Sequence, residues 1–368
     1  MESRSIANSR VVVTGGAGFI GSHLIRMLVQ KGHSVLCFDK LSYAGHRESL
    51  NDLANSSTLQ WCIADVSNHE SIRTAITSFA PNAIFHLAAE SHVDRSIDAP
   101  MLFAQSNTMG TVCLLDATLG YWKGLDSAEQ DKFRLIHVST DEVYGELMDN
   151  ALFNESSRYA PSSPYSSSKA AADHFANAFR RTYGLPVHIT NCSNNYGPFQ
   201  HPEKLIPVTI KRALAGLTIP VYGQGLNIRD WLYVTDHCEA LMDVWGKAAP
   251  GEDFMVGATC TLRNIEVVHA ICDLLDRIVP LVQNRSYRSQ IQFAQDRPGH
   301  DYRYAVDPSK IMRLLGWKPA VSWEVGIQRT IHWYLANPDW PTECASDFPT
   351  ECTSDLQLLN DQEESDRK

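Results

Sequence analysis

One short stretch constrains this chain more than any other. The β-branched run Arg10-Val-Val-Val-Thr14 stops at Gly15-Gly16-Ala17-Gly18-Phe19-Ile20-Gly21. An apolar pattern repeating every three to four residues follows, through Phe19, Ile20, Leu24, Leu28 and Val29. Strand, tight turn and helix are the reading. Gly15 permits the turn, Gly18 lets backbone approach a pyrophosphate, and Gly21 lets helix and sheet pack closely while the helix N-terminus faces the phosphates. Asp39 ends the next β-rich run, where an acid takes the adenosine ribose hydroxyls and repels a 2′-phosphate, so NAD is expected rather than NADP.

Further β-rich runs at 59–63, 83–87, 134–139 and 187–190 alternate with helix-like segments. Nearly unbroken apolar strands between helices predict an α/β fold, a doubly wound parallel sheet of the Rossmann type. After about Asn191 the pattern shortens and fills with Pro and Gly, which predicts a smaller mixed α/β substrate-binding lobe. The expected division is a dinucleotide-binding domain over 1–193 and a lobe over 194–337, with some chain exchange between them. A polar tail over 338–368 contains the near-duplication PTECASDF and PTECTSDL and is expected to be disordered.

With 44% hydrophobic and 20% charged residues the composition is that of a globular protein. The net charge of −10 argues against nucleic acid or an anionic membrane surface as partner. No run approaches the roughly 20 apolar residues that span a bilayer, and the first residues lack the apolar centre of a signal peptide, so a cytoplasmic location is expected. The nine cysteines include no C-x-x-C pair and are read as reduced thiols, with no metal expected.

A second constellation is Tyr165-Ser-Ser-Ser-Lys169, whose spacing puts phenol and ammonium on one helical face. A cation about 4 Å away at an effective dielectric near 20 is worth roughly 4 kcal/mol, on the order of three pH units, which would make Tyr165 a base near neutrality. Between the glycine loop and this pair, the run 133–138 leads into Ser139-Thr140-Asp141-Glu142. Thr140 is placed to bond a substrate oxygen and share its proton with Tyr165. Adjacent acids in a shielded site are driven to different pKa values, one serving as acid and the other as base.

These pieces, with HLAAESHVDRSI, SNNYGPFQHPEKLIP, YGQGLNIRDWLYV, DRPGHDYRYAVD and LLGWKP in order, resemble the extended short-chain dehydrogenase/reductase family and, within it, the nucleotide-sugar 4,6-dehydratases. The resemblance runs over some nine-tenths of the chain; it departs in the tail and at Thr235, where an acid is expected. It implies that Phe19, Ile20, Asp39, Lys40, Leu41 and Ser42 surround NAD, that Asp65 and Val66 lie at the adenine, and that Leu87, Ala88, Ala89, Glu90 and Ser91 run under the pyrophosphate and nicotinamide ribose. Ser106, Tyr165, Lys169 and Asn195 complete that site.

For a nucleotide-sugar substrate the resemblance points to Ser91, Thr140, Asn194, Lys204 and Leu205, to Pro220, Val221 and Tyr222, to Arg229 and Asn264, and to Asp296, Arg297, Pro298, Gly299 and His300. Lys204, Arg229 and Arg297 have the chemistry to meet a diphosphate. The implied reaction is NAD-dependent dehydration of a nucleoside-diphosphate hexose, dTDP-glucose before UDP-glucose, with a 4-epimerase as the alternative. Tyr165, Thr140 and Lys169 would serve C4 oxidation, and Glu142 and Asp141 the loss of water from C5 and C6. Helix-like segments 101–119 and 166–181 are expected to pair across a two-fold axis as the four-helix core of a homodimer.

Overall fold

The structure, a computed structural model, describes residues 6–148 and 150–341. In chain order the strands are β1 (Arg10–Thr14), β2 (Ser34–Asp39), β3 (Leu59–Ile63), β4 (Ala83–His86), β5 (Arg134–Thr140) and β6 (Val187–Cys192). There follow β7 (Asn194–Tyr196), β8 (Ile219–Tyr222), β9 (Ile228–Tyr233), β10 (Phe254–Val256), β11 (Thr261–Arg263) and β12 (Ile291–Ala294). Seven of these form one sheet in the order β10-β6-β5-β4-β1-β2-β3, parallel at every pairing. The order reverses between β1 and β4, and open α/β sheets bind ligands outside the strand ends at such a point. This is the doubly wound sheet expected.

Both faces of the sheet are covered, which is why every position of β4, β5 and β6 is buried and β1 exposes only Arg10. On one face Val11, Val13, Ile25 and Phe85 pack with Leu241, Val244 and Trp245 of the helix Val234–Lys247. On the other, Val12, Phe38, Ile72, Leu114, Leu135 and Val187 form a second layer. Beyond the strand ends lie the three-stranded sheet β11-β9-β7 and the parallel pair β12-β8. They enclose a separate core of Ile206, Trp231, Val267, Ile271, Leu275 and Ile331.

The segment expected as one helix over 101–119 is broken into three pieces. A turn of α-helix, Pro100–Phe103, widens into a π-helical stretch, Ala104–Met109, before regular helix resumes over Gly110–Lys123. Such widened turns accommodate a side chain drawn inward, and here it is Asn107, which is fully buried. No helix among the described residues is long and apolar enough to cross a membrane. The seven cysteines among the described residues are free. The expected polar tail is ordered at its start, where Trp340 is buried in the core of the smaller sheets because its large apolar ring packs there; the remainder, with Cys344 and Cys352, lies outside the described residues.

Candidate active site

The glycine loop is built by steric necessity. Gly15 sits at φ +69°, and a Cβ there would come within 2.6 Å of the Ala88 amide nitrogen. A Cβ on Gly21 would lie 2.1 Å from the Gly15 carbonyl oxygen, so helix and loop meet only because both residues are glycine. Gly18 begins the helix Phe19–Gln30 without a side-chain cap, which leaves its first N–H groups open to a phosphate. Asp39 is buried at the end of β2 and accepts from the amides of Ala17 at 3.0 Å and Leu41 at 2.8 Å. Burial pushes its pKa up, and those two N–H groups oppose the shift.

Around this loop the sequence-assigned residues converge from separate segments. The Lys40 ammonium lies 3.0 Å from Glu90, 3.7 Å from Asp65 and 3.5 Å from the Ser106 hydroxyl. One Glu90 oxygen is buried and has no hydrogen-bond partner. Leu87 and Ala88 are tied to Thr14 on β1, and the Asn195 side chain bonds His237 at 3.0 Å. Val66 packs against Gly110, where a Cβ would fall 2.6 Å from it. Ser42 closes a turn onto Gly45, and Phe19 meets His23 edge-on. The open helix end, the glycine cradle and the unsatisfied buried carboxylate oxygen fit a bound dinucleotide. Sequence reading missed Asn107, which exchanges both hydrogen bonds with the Glu90 backbone at 2.8 and 3.0 Å and reaches Ser168 at 2.9 Å.

At the end of β5 the chain enters a single 3₁₀ turn, Asp141–Tyr144, capped by Thr140. The Thr140 hydroxyl donates to Asp141 and accepts from the Glu142 amide, both at 3.3 Å. Tyr165 and Lys169 lie on the helix Pro164–Tyr183, started by a Ser163–Ser166 capping box and a first-turn proline and ended by Gly184 at φ +75°.

The ammonium expected to activate Tyr165 is engaged by the backbone. Lys169 donates to the Val138 carbonyl at 2.7 Å. Burial, then the Glu142 carboxylate, then Cys192 push the Tyr165 phenol up, well above its ordinary value. Spacing put the two residues on one face but could not say where the ammonium points.

The two acids stand in contrasting surroundings. Burial, Glu142 and Asp230 hold Asp141 well above the carboxylate range, and one of its oxygens is buried without a partner. Burial raises Glu142 also, but Arg297, Arg229 and Lys204 all oppose it. Arg229 opposes the rise at both acids, but Arg297 and Lys204 act on Glu142 in addition, against Asp301, while Asp141 has Glu142 and Asp230 beside it. That arrangement separates an acid from a base.

Those three cations come from the lobe. Arg297 pairs with Asp94 at 2.8 Å, and its buried Nε has no partner. Tyr222 also donates to Asp94, at 3.1 Å, and Tyr222 and His300 rings meet edge-on. His300 contacts Asp296 at 2.6 Å. Arg229 is buried, stacked 4.3 Å from the Tyr304 ring centre and bonded to the carbonyls of Ile228, Asp301 and Tyr302. Lys204 donates to the Ser91 carbonyl at 2.7 Å, which ties lobe to sheet.

Leu205 opens the helix after Lys204, and Asn264 opens another with its amide on the Asn227 carbonyl. Pro220 and Val221 lie in β8, Gly299 takes φ +64° beside Pro298, and the Asn194 side-chain oxygen is buried and unpartnered. Asp94, the shared partner of Arg297 and Tyr222, was not found from sequence; its position within HVDRSI was the available signal.

Residues 12–330 match the GDP-mannose 4,6 dehydratase family. The dTDP-glucose 4,6-dehydratase 1 of Escherichia coli K12 is 50% identical over 341 residues, covering 90% of this chain and 94% of the relative. The dTDP-glucose 4,6-dehydratase of Xanthomonas campestris strain B100 is 50% identical over 329 residues, covering 89% and 94%. Among solved structures, a dTDP-glucose 4,6-dehydratase of Streptomyces venezuelae with NAD and dTDP bound superposes with a TM-score of 0.82 at 41% identity, over 90% of this chain and 98% of that one. A UDP-glucose 4-epimerase of Thermus thermophilus in complex with NAD gives 0.78 at 30% identity, over 89% and 99%. Fold and site thus define a nucleotide-sugar enzyme of the extended short-chain dehydrogenase/reductase type, and the chain belongs to the GDP-mannose 4,6 dehydratase family. Within it, the relatives at about half identity are dTDP-glucose 4,6-dehydratases.

Proposed function

We propose that this chain is a hydro-lyase that converts dTDP-glucose to dTDP-4-keto-6-deoxyglucose. The observation that carries the reading is the Asp141–Glu142 pair beside Thr140 and Tyr165, with Arg297 and Lys204 acting on Glu142 in addition to the Arg229 that both acids share. A sheet shared with a 4-epimerase does not choose the reaction; epimerisation at C4 has no need of a second acid–base pair.

Bound NAD, which the glycine loop, Asp39 and the Lys40–Glu90–Ser106 group would hold, would supply a hydride acceptor and a positive ring charge that favours release of the Tyr165 proton. Tyr165, close to Thr140, then takes the proton of the sugar 4-hydroxyl as C4 is oxidised. Lys169 sits one turn along the same helix. The resulting ketone acidifies the hydrogen at C5. Glu142 removes it while Asp141, protonated, donates to the departing 6-hydroxyl, and water leaves. Return of hydrogen to C6 and of a proton to C5 completes the product. Lys204, Arg229 and Arg297 hold the diphosphate, and the same charges keep Glu142 the more acidic member of the pair.

Purified protein incubated with dTDP-glucose should yield the alkali-induced absorbance of a 4-keto sugar, with hydrogen from C4 recovered in the new methyl group. Failure of that transfer would refute the reading. Turnover compared across dTDP-, UDP-, CDP- and GDP-hexoses tests the base.

The homodimer belongs to the same proposal. Ile97, Met101, Leu102 and Met109 remain exposed along the segment Val93–Met109, Met101 by 80%, and Phe175 is exposed on the helix packed beside it. Two such faces brought together make a four-helix interface. A sedimentation mass of one chain would refute it.

A further inference from the structure

Two turns beyond Tyr165 and one beyond Lys169, the helix carries a further buried polar side chain on the same face. Asp173 is 1% exposed and collects hydrogen bonds from three directions. From β5, Ser139 donates at 2.7 Å and His137 Nε2, which must carry the ring proton, at 2.9 Å. Tyr159, ahead of the helix, donates at 3.0 Å, and Asn191 on β6 donates at 3.3 Å. The same Asn191 amide reaches the Thr140 carbonyl at 3.1 Å, and its oxygen accepts from Tyr144 at 3.2 Å. One carboxylate therefore joins the Tyr165–Lys169 helix to both strands that end at the reacting groups.

The charges around it are unequal. Burial holds His137 neutral, with Lys169 pushing it the same way, and His86 beside it is held neutral likewise. Tyr159 and Tyr144 are pushed up, and Asp253 on the far side is engaged by Arg180 at 2.7 Å. Facing Lys169 are the Val138 carbonyl, the Cys192 thiol, pushed up to about 12 and so uncharged, and Asp173. Lys169 and Asp173 stand one turn apart on this buried helix face, and Asp173 opposes the loss of the Lys169 proton.

We propose that Asp173 is a positioning residue: it locks the end of β5 to the helix and supplies the counter-charge that keeps Lys169 an ammonium beside Tyr165. A buried ammonium without a nearby anion sheds its proton. A neutral Lys169 could neither bind a ribose hydroxyl as a charged donor nor favour a phenolate. The inference rests on the proposed function for its consequence, but not for its measurement.

The test follows Lys169 directly, by the ¹³Cε–Hε signal of labelled lysine in the full-length protein, assigned as the signal missing from Lys169→Met. The wild-type midpoint should lie above neutrality. Asp173→Asn should lower it by roughly one pH unit or more, and the alkaline limb of turnover should move down with it. Ser139→Ala and Tyr159→Phe remove donors but keep the carboxylate, and should leave the midpoint in place. An unmoved midpoint in Asp173→Asn, or an equal shift in Tyr159→Phe, overturns the proposal. Should Asp173→Asn fail to fold, the wild-type titration still decides, since a midpoint below pH 7 overturns the proposal and one above supports it. Absence of dTDP-glucose turnover by wild type would refute the proposed function and leave the titration standing.

Discussion

Replacing Asp141 by Asn separates the roles of the two acids and does so in stability as well as in rate. In the folded protein the Asp141 carboxyl is held well above its ordinary value, whereas in the unfolded chain it ionises near pH 4. Between those two values the native state binds a proton that the unfolded state has lost, so the native state is disfavoured progressively as pH rises. One proton corresponds to about 1.4 kcal/mol per pH unit at most. Asparagine has the same shape and no proton to lose. The stability of Asp141→Asn minus that of wild type should therefore grow with pH from about pH 4 upward, at up to that slope.

Urea titrations at several pH values between 5 and 8 read the difference. In the same protein, single-turnover reduction of bound NAD at 340 nm should persist, while formation of the 4-keto-6-deoxy product should fall by about 10²- to 10⁴-fold, the usual worth of a placed general acid. Parallel stability curves for the two proteins would mean that Asp141 is ionised in the native state, and the assignment of acid and base would then be wrong.

Other outcomes follow from the same geometry. Lys40→Met should cost about 2 kcal/mol, because it strands the buried Glu90 carboxylate, and Glu90→Gln should recover most of that loss in the Lys40→Met background; the estimate is kept low because Lys40 is a quarter exposed. Additive urea midpoints in the double variant would show that the pair is not coupled. Arg297→Met removes the strongest cation opposing the upward shift of Glu142, a base that works deprotonated, so the acid limb of kcat at saturating substrate should move to higher pH. An unmoved limb would exclude Glu142 as the group that titrates there. Gly21→Ala should destabilise by about 1–3 kcal/mol through collision with the Gly15 carbonyl and weaken NAD retention; a denaturation midpoint equal to wild type would show that the loop can yield.

The features legible in the sequence are those whose physics is local. The glycine loop, the Asp39 position and the Tyr165–Lys169 spacing depend on residues within one strand, turn or helix, and periodicity displays them. The smaller sheets' assembly, and what each charged side chain touches, depend on chain segments far apart. Arg297 meets Asp94 across 203 positions, Asp173 meets His137 across 36, and Asn107 meets Glu90 across 17. Asn107 leaves no such trace, since it stands within the polar stretch Gln105-Ser106-Asn107-Thr108 and nothing local says that the helix must widen around it. Tyr165 shows the same division, since the sequence places its cation and only the fold shows that cation turned toward a carbonyl.

The seventh strand has a consequence for how the molecule is made. β6 is complete at Cys192, yet its outer neighbour β10 begins at Phe254, and the helix Val234–Lys247 that covers one face of the sheet also comes late. A ribosome adding about 5–20 residues per second needs several seconds to deliver that stretch. During this interval the hydrogen-bonding edge of β6 is bare, and the side of β1 and β4 that Leu241, Val244 and Trp245 will cover is only partly covered, the condition under which strands find the wrong mate. Ribosome-bound chains halted before β10 should therefore be the ones that chaperones hold longest.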